Sequence, residues 1–156
     1  GQYTEGELGK WACEYNHVCL TGGEPLACEG IVELIEFLQG RYGLTVHVET
    51  SGTVSVSIPS QTWLTVSPKP GYLPVMLDRA DEIKVIVGGL GSGAGWPSLA
   101  DALQWADAYP DTPVFLQPRN DRNVIDYQQL RLAEHLVLEN PSLRLSVQLH
   151  KFMGGR

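Results

Sequence analysis

One group of residues has the types and spacing for ligand chemistry. Thr21-Gly22-Gly23-Glu24-Pro25 follows the short apolar run from His17 to Leu20. Two adjacent glycines, lacking Cβ atoms, let a ligand come up against the backbone. They fall between a strand and the start of a helix, where backbone N–H groups have no intrahelical partner and point outward. Glu24 adds an anion, and exposed carbonyls add acceptors. Such a cradle suits a group that carries both a carboxylate and an ammonium. Three more polar segments close strand candidates: Glu49 to Ser51, Ser67 to Lys69, and Gln117 to Asn120. Lys69 is the one cation of its segment. Turns are polar in any protein. In parallel α/β folds, however, all strand C-termini share one face, and ligands bind there. The four segments together point to one pocket.

Other chemistries find less support. The run Gly88-Gly89-Leu90-Gly91-Ser92-Gly93-Ala94-Gly95 lacks the Gly-Lys-Ser/Thr end of a phosphate-binding loop and the G-x-G-x-x-G register of a dinucleotide site. It reads as a flexible loop, with a lid over the pocket as the alternative. Of His17, His47, His135 and His150, only His150 stands among pocket-type residues, in Gln148-Leu149-His150-Lys151. No Ser-His-Asp or Cys-His constellation supports nucleophilic catalysis, and no catalytic residue is assigned. Cys13, Cys19 and Cys28, spaced C-x5-C-x8-C, match no common zinc pattern. Cys19 in an apolar strand and Cys28 on a helix stripe are expected to be free, buried thiols.

The elements that must position these residues alternate. Ile31, Leu34, Ile35 and Leu38 recur at helical spacing opposite Glu29, Glu33 and Glu36, and Gly40 or Gly43 ends that helix. Thr45 to Glu49, Trp63 to Val66 and the β-branched Ile83 to Val87 read as strands. Ser98-Leu99-Ala100-Asp101 has capping-box character before a stripe of Leu99, Ala102, Leu103 and Ala106. Val114 to Leu116 is a strand, Val124 to Glu139 a helix closed by Asn140-Pro141, and Leu143 to Leu149 the last strand. Strands alternating with helices imply parallel pairing and right-handed crossovers. The expected architecture is an open, partial (β/α) TIM-like barrel of mostly parallel strands; a doubly wound sheet is the alternative.

With 156 residues, residues 1–156 are expected to form a single domain. Hydrophobic residues at 43% and charged residues at 19% suit a folded chain. A net charge of −7 argues against nucleic-acid binding and against an anionic membrane surface. No apolar run reaches the length of a membrane span. The polar, acidic stretch from Gly1 to Lys10 is not a signal peptide, so a cytoplasmic location is expected.

The stretch from Val18 to Leu26, Val18-Cys19-Leu20-Thr21-Gly22-Gly23-Glu24-Pro25-Leu26, resembles the second signature of radical S-adenosylmethionine enzymes. His47-Val48-Glu49-Thr50-Ser51-Gly52-Thr53, Thr65-Val66-Ser67-Pro68-Lys69, Asp81 to Ile86, Phe115-Leu116-Gln117-Pro118, and Arg144 to Phe152 follow in order. Together they resemble the 7-carboxy-7-deazaguanine synthases of queuosine biosynthesis. That family contracts 6-carboxy-5,6,7,8-tetrahydropterin to 7-carboxy-7-deazaguanine with loss of ammonia. It uses S-adenosylmethionine, a [4Fe–4S] cluster and Mg2+, usually as a homodimer.

The resemblance implies that Gly22, Gly23, Glu24, Ser67, Pro68, Lys69, Gln117, Pro118, Arg119 and Asn120 contact S-adenosylmethionine. It also implies that Thr21, Glu49, His150 and the carboxylate of Arg156 face the pterin. The family's C-x3-C-x2-C cluster motif is not in this sequence. The cluster cysteines and the magnesium ligand are therefore expected upstream, with the first strand missing. The chain then corresponds to the C-terminal two thirds of the family domain and is expected to be inactive alone. The other readings are a further radical activase-type enzyme and a cluster-less domain that binds S-adenosylmethionine or a nucleoside.

Overall fold

The computed structural model describes residues 4, 6–7, 14–91, 93, 95–120 and 124–149. Among these residues, six strands form one sheet in sequential order: β1 (His17–Leu20), β2 (Thr45–Thr50), β3 (Trp63–Val66), β4 (Glu82–Ile86), β5 (Val114–Gln117) and β6 (Leu143–Leu145). Every neighbouring pair is parallel. A doubly wound sheet reverses its strand order at a switch point. This order never reverses, so the sheet is a partial barrel, open between β1 and β6 among the described residues.

Four α-helices with described ends accompany the strands: α1 (Ile31–Tyr42), α2 (Val75–Arg79), α3 (Leu99–Ala108) and α4 (Tyr127–Glu139). Alternate strand residues meet them in one core. Val46, Val48, Leu64, Val66, Ile83, Val85, Val114 and Leu116 are buried with Ile35 and Leu38 of α1, Met76 and Leu77 of α2, Ala102 and Trp105 of α3, and Ala133 of α4. Strand side chains alternate between faces. The opposite parity therefore sends His47, Glu49, Thr65, Lys84, Phe115 and Gln117 to the other face. That division of the strands is what makes a polar site possible on a sheet otherwise built of valine, leucine and isoleucine.

Local chemistry sets the helix ends. α1 stops at Gly43, in the left-handed region at φ +65°, whose N–H returns to the Gln39 carbonyl at 3.0 Å. The capping box at α3 is present: the Ser98 N–H donates to Asp101 Oδ2 at 2.7 Å and the Asp101 N–H to Ser98 Oγ at 3.2 Å. α4 begins at Tyr127 rather than at Val124, because the Asp126 carboxylate accepts from the N–H groups of Gln128 and Gln129 and fixes the start there. β6 is shorter than expected, ending at Leu145 instead of Leu149. Leu145 pairs with Leu116, and only the Ser146 N–H, bonded to the Leu116 carbonyl at 3.0 Å, prolongs the ladder. β4 spans Glu82–Ile86, and Val87 passes into a 3-10 turn, Val87–Gly89.

The cysteine expectation is overturned: Cys19 and Cys28 are both free but exposed. β1 is the edge strand among the described residues, and its four residues alternate between exposed and half-buried. Cys28 closes the 3-10 turn Pro25–Ala27 and precedes the α1 stripe instead of joining it. The glycine run is also not simply an open loop. A Cβ on Gly88 would lie 2.7 Å from the Arg119 Cβ, and one on Gly89 would lie 2.6 Å from the Trp96 ring. Those two positions are glycine because other residues press against them.

Candidate functional site

Six strand ends converge on a cavity of about 300 Å3. Thr21, Gly22 and Gly23 come from the end of β1, Glu49, Thr50 and Ser51 from β2, and Ser67 and Lys69 from beyond β3. Lys84 and Ile86 come from β4, Gln117 from β5, and Gln148 from beyond β6. A larger cavity of about 460 Å3 opens at the other end of β2, against the C-terminus of α1, with Glu36, Gln39 and Gln61 in its wall. It holds no cation and none of the motif residues, so size does not choose the site here.

The glycine turn is open toward ligand. Gly22 and Gly23 have φ +99° and +25°, and a Cβ built on either meets no atom within 4 Å. Glu24 holds the turn against β2. Its Oε1 accepts from the Leu26 N–H at 3.2 Å and from Thr50 Oγ1 at 2.6 Å. Its Oε2 accepts from the Ser51 N–H at 2.8 Å and from the Ser51 hydroxyl. Burial works against its charge, but the donors from Ser51, Thr50 and Leu26 outweigh it and hold the carboxyl below its usual range. The stitching continues to β3: the Ser67 N–H donates to the Thr50 carbonyl at 2.7 Å and the Lys69 N–H to the Ser51 carbonyl at 3.3 Å. Lys69 itself is exposed and lines the cavity.

Glu49 and Lys84 bring charge to the cavity wall. Lys84 Nζ lies 2.9 Å from Glu49 Oε1 and 3.6 Å from Glu82 Oε1. His47 Nε2 is 2.6 Å from Thr65 Oγ1, and its ring meets those of His17 and Trp63 edge-on. Burial lowers the His47 pKa; Glu49 and Glu82 oppose that shift, while Lys84 and His17 add to it.

Seven of the residues expected at the site line this cavity: Thr21, Gly22, Gly23, Glu49, Ser67, Lys69 and Gln117. Glu24 lines the adjoining pocket with Cys19 and Cys28. Pro68 and Pro118 are buried. Arg119 packs on Gly88. Asn120 donates to Gln148 Oε1 at 3.1 Å and accepts from the Asp126 N–H, tying the β5 loop to the start of α4. His150 and Arg156 lie outside the described residues. Sequence reasoning assigned no role to Lys84, although its parity opposite Ile83 and Val85 was a usable signal.

Sequential parallel strands, helices on one face and a polar cavity at the strand C-termini define a partial radical S-adenosylmethionine-type barrel. The crystal structure of QueE from Escherichia coli matches it with a TM-score of 0.65 at 27% identity, over 94% of this chain and 64% of that one. No protein-family model matches the chain. A curated 7-carboxy-7-deazaguanine synthase from Synechocystis sp. is 32% identical over 146 residues, 89% of this chain and 62% of the relative. One from Escherichia coli is 34% identical over 152 residues, 94% of this chain and 64% of the relative. In sequence and fold the chain is similar to the 7-carboxy-7-deazaguanine synthases. It spans less than two thirds of the length of the curated relatives it matches.

Proposed function

We propose that this protein, as a single domain, supplies the S-adenosylmethionine- and pterin-binding face of a 7-carboxy-7-deazaguanine synthase. The reaction is the ring contraction of 6-carboxy-5,6,7,8-tetrahydropterin to 7-carboxy-7-deazaguanine, with loss of ammonia, in 7-deazapurine biosynthesis. The carrying observation is the single cavity that joins the glycine turn, Ser67, Lys69 and Gln117 with Thr21 and Glu49.

In this reading the open Gly22-Gly23 backbone and Lys69 take the amino-acid end of S-adenosylmethionine. Ser67, Pro68 and the Gln117 to Asn120 segment shape the nucleoside side. Glu24 supports that surface by fixing Ser51. Thr21 and Glu49 face the pterin, together with His150 and Arg156.

The family's chemistry also calls for a [4Fe–4S] cluster and Mg2+. Among the described residues, no group of three His, Cys, Asp or Glu side chains gathers as a metal site. Cys19 and Cys28 share one pocket wall with Glu24, whose two oxygens are already taken by Leu26, Thr50 and Ser51, and no third described thiol joins them there. In this reading the described residues serve to bind and orient the organic ligands, and none of them is assigned to the cluster. A homodimer and a cytoplasmic location complete the reading. The unpaired edge of β1 among the described residues suits pairing with further chain, and no described helix is long and apolar enough to cross a membrane.

Titration calorimetry with S-adenosylmethionine and with 6-carboxy-5,6,7,8-tetrahydropterin tests the proposal. Binding of both is expected. A folded protein that takes up neither ligand contradicts it.

A further inference from the structure

Lys84 is 12% exposed at the side chain and stands in β4 on the cavity side, opposite in parity to the buried Ile83 and Val85. Its partner Glu49 belongs to β2, two strands away, a separation of about 10 Å between backbones. Thr65 of β3 lies between them, paired in register with both Glu49 and Glu82. A threonine there is short, and its hydroxyl is engaged with His47 Nε2 at 2.6 Å. That leaves room over β3 for the lysine to reach Glu49 Oε1 at 2.9 Å.

Taking an ammonium out of water costs free energy that one ion pair seldom returns. On the same face, Phe115 and Ile86 show that apolar residues fill neighbouring positions. A role in packing alone therefore does not account for a lysine at this place. Lys84 and Glu49 both line the cavity. Glu49 Oε2 accepts no hydrogen bond from a described residue, while Oε1 is taken by the lysine.

We propose that Lys84 is a positioning residue for ligand recognition. It anchors Glu49 through Oε1 and holds that carboxylate in place at the cavity wall. Oε2 is thereby left for the N–H donors of a heterocycle, such as the aminopyrimidinone edge of a pterin. This role rests on the reading of the cavity as the pterin site.

A double-mutant cycle read by calorimetry tests it, with 6-carboxypterin as probe and S-adenosylmethionine as control. Lys84→Met should weaken 6-carboxypterin binding by about tenfold or more, the scale of one charge-assisted hydrogen bond. S-adenosylmethionine affinity should stay within about twofold, and Lys84→Arg should recover most of the loss by restoring the cation. On a Glu49→Gln background, Lys84→Met should cost less than about twofold more, because residues acting as a unit are not additive. If Lys84→Met does not fold, Lys84→Gln runs the same cycle. Additive losses, or equal losses for both ligands, overturn the positioning role alone. Unchanged 6-carboxypterin affinity in Glu49→Gln overturns the pterin reading of the cavity, and the positioning role with it.

Discussion

The Glu24 carboxylate accepts the Ser51 backbone N–H at 2.8 Å, locking the glycine turn after β1 to the end of β2. The Ser51 carbonyl in turn takes the Lys69 N–H at 3.3 Å, so one carboxylate sets the placement of three strand ends. Glu24 is held below its ordinary value of 4.5, against burial, by the donors of Ser51, Thr50 and Leu26. A carboxyl with a depressed folded-state pKa contributes stability that is present above its unfolded pKa and lost as pH falls through the folded one. Acid should therefore destabilise the protein below about pH 4.5, and Glu24→Gln should lose part of that acid sensitivity. Denaturant midpoints taken across pH 2 to 7 check this. Identical slopes in the two proteins remove Glu24 as a source of the acid response.

Gly23 makes a different demand. Its φ of +25° lies where side chains with a Cβ are strained, and the space above it is open. Gly23→Val puts a branched side chain into the space where the ligand would approach. S-adenosylmethionine binding should be abolished, with a stability cost of about 1–3 kcal/mol from backbone strain. Calorimetry paired with a thermal melt separates the two effects. Unchanged affinity in a folded variant takes the turn out of the binding surface.

Much of this arrangement was legible in the residues themselves. The Ile31, Ile35 and Leu38 stripe announces α1, and the capping pair Ser98 and Asp101 announces α3. Strand ends rich in Gly, Ser, Thr and Gln announce the cavity. What stayed hidden depends on neighbours distant in sequence. α2 is five residues long, too short for a helical period to register. The last strand stops at Leu145, opposite Leu116 and one residue short of the end of β5, a limit no local pattern encodes. Cys19 is exposed because β1 is an edge among the described residues, a fact of topology. Gly88 and Gly89 read as loop because Arg119 and Trp96, which press on them, are remote or aromatic neighbours reached only in the fold. The Lys84 pairing needs the register of three strands before Glu49 comes within reach.

His47, on the same sheet face as Glu49, gives the protein a second pH response, from a base instead of an acid. Burial is the main cause that lowers its pKa from 6.5, with Lys84 and His17 adding to it and Glu49 and Glu82 opposing it. The folded state thus favours the neutral ring, while the unfolded chain takes up a proton as pH falls through about 6.5. Unfolding then binds protons, and stability should fall with decreasing pH below that point. The effect ends once pH drops below the folded-state pKa. His47→Gln should keep a hydrogen-bonding partner for Thr65 and flatten this part of the profile. Proton NMR titration of the His47 ring offers the direct check; a value at or above 6.5 contradicts the assignment.

Lys69 carries the most direct prediction on binding. Its backbone is fixed by Ser51, and its side chain is exposed while lining the cavity. The position therefore presents a cation without burying it in the core. A charge-assisted hydrogen bond to the ligand's carboxylate or ribose oxygens contributes about 1.5–3 kcal/mol. Lys69→Ala should weaken S-adenosylmethionine binding by about tenfold to a hundredfold. Stability should change by no more than about 0.5 kcal/mol, as for other exposed side chains. The affinity should also fall with added salt in the wild type and less steeply in the variant, since an exposed charge is screened. A loss below twofold in Lys69→Ala, with an unaltered salt dependence, makes Lys69 a solvated loop residue and leaves the glycine turn to hold the amino-acid end of the ligand without it.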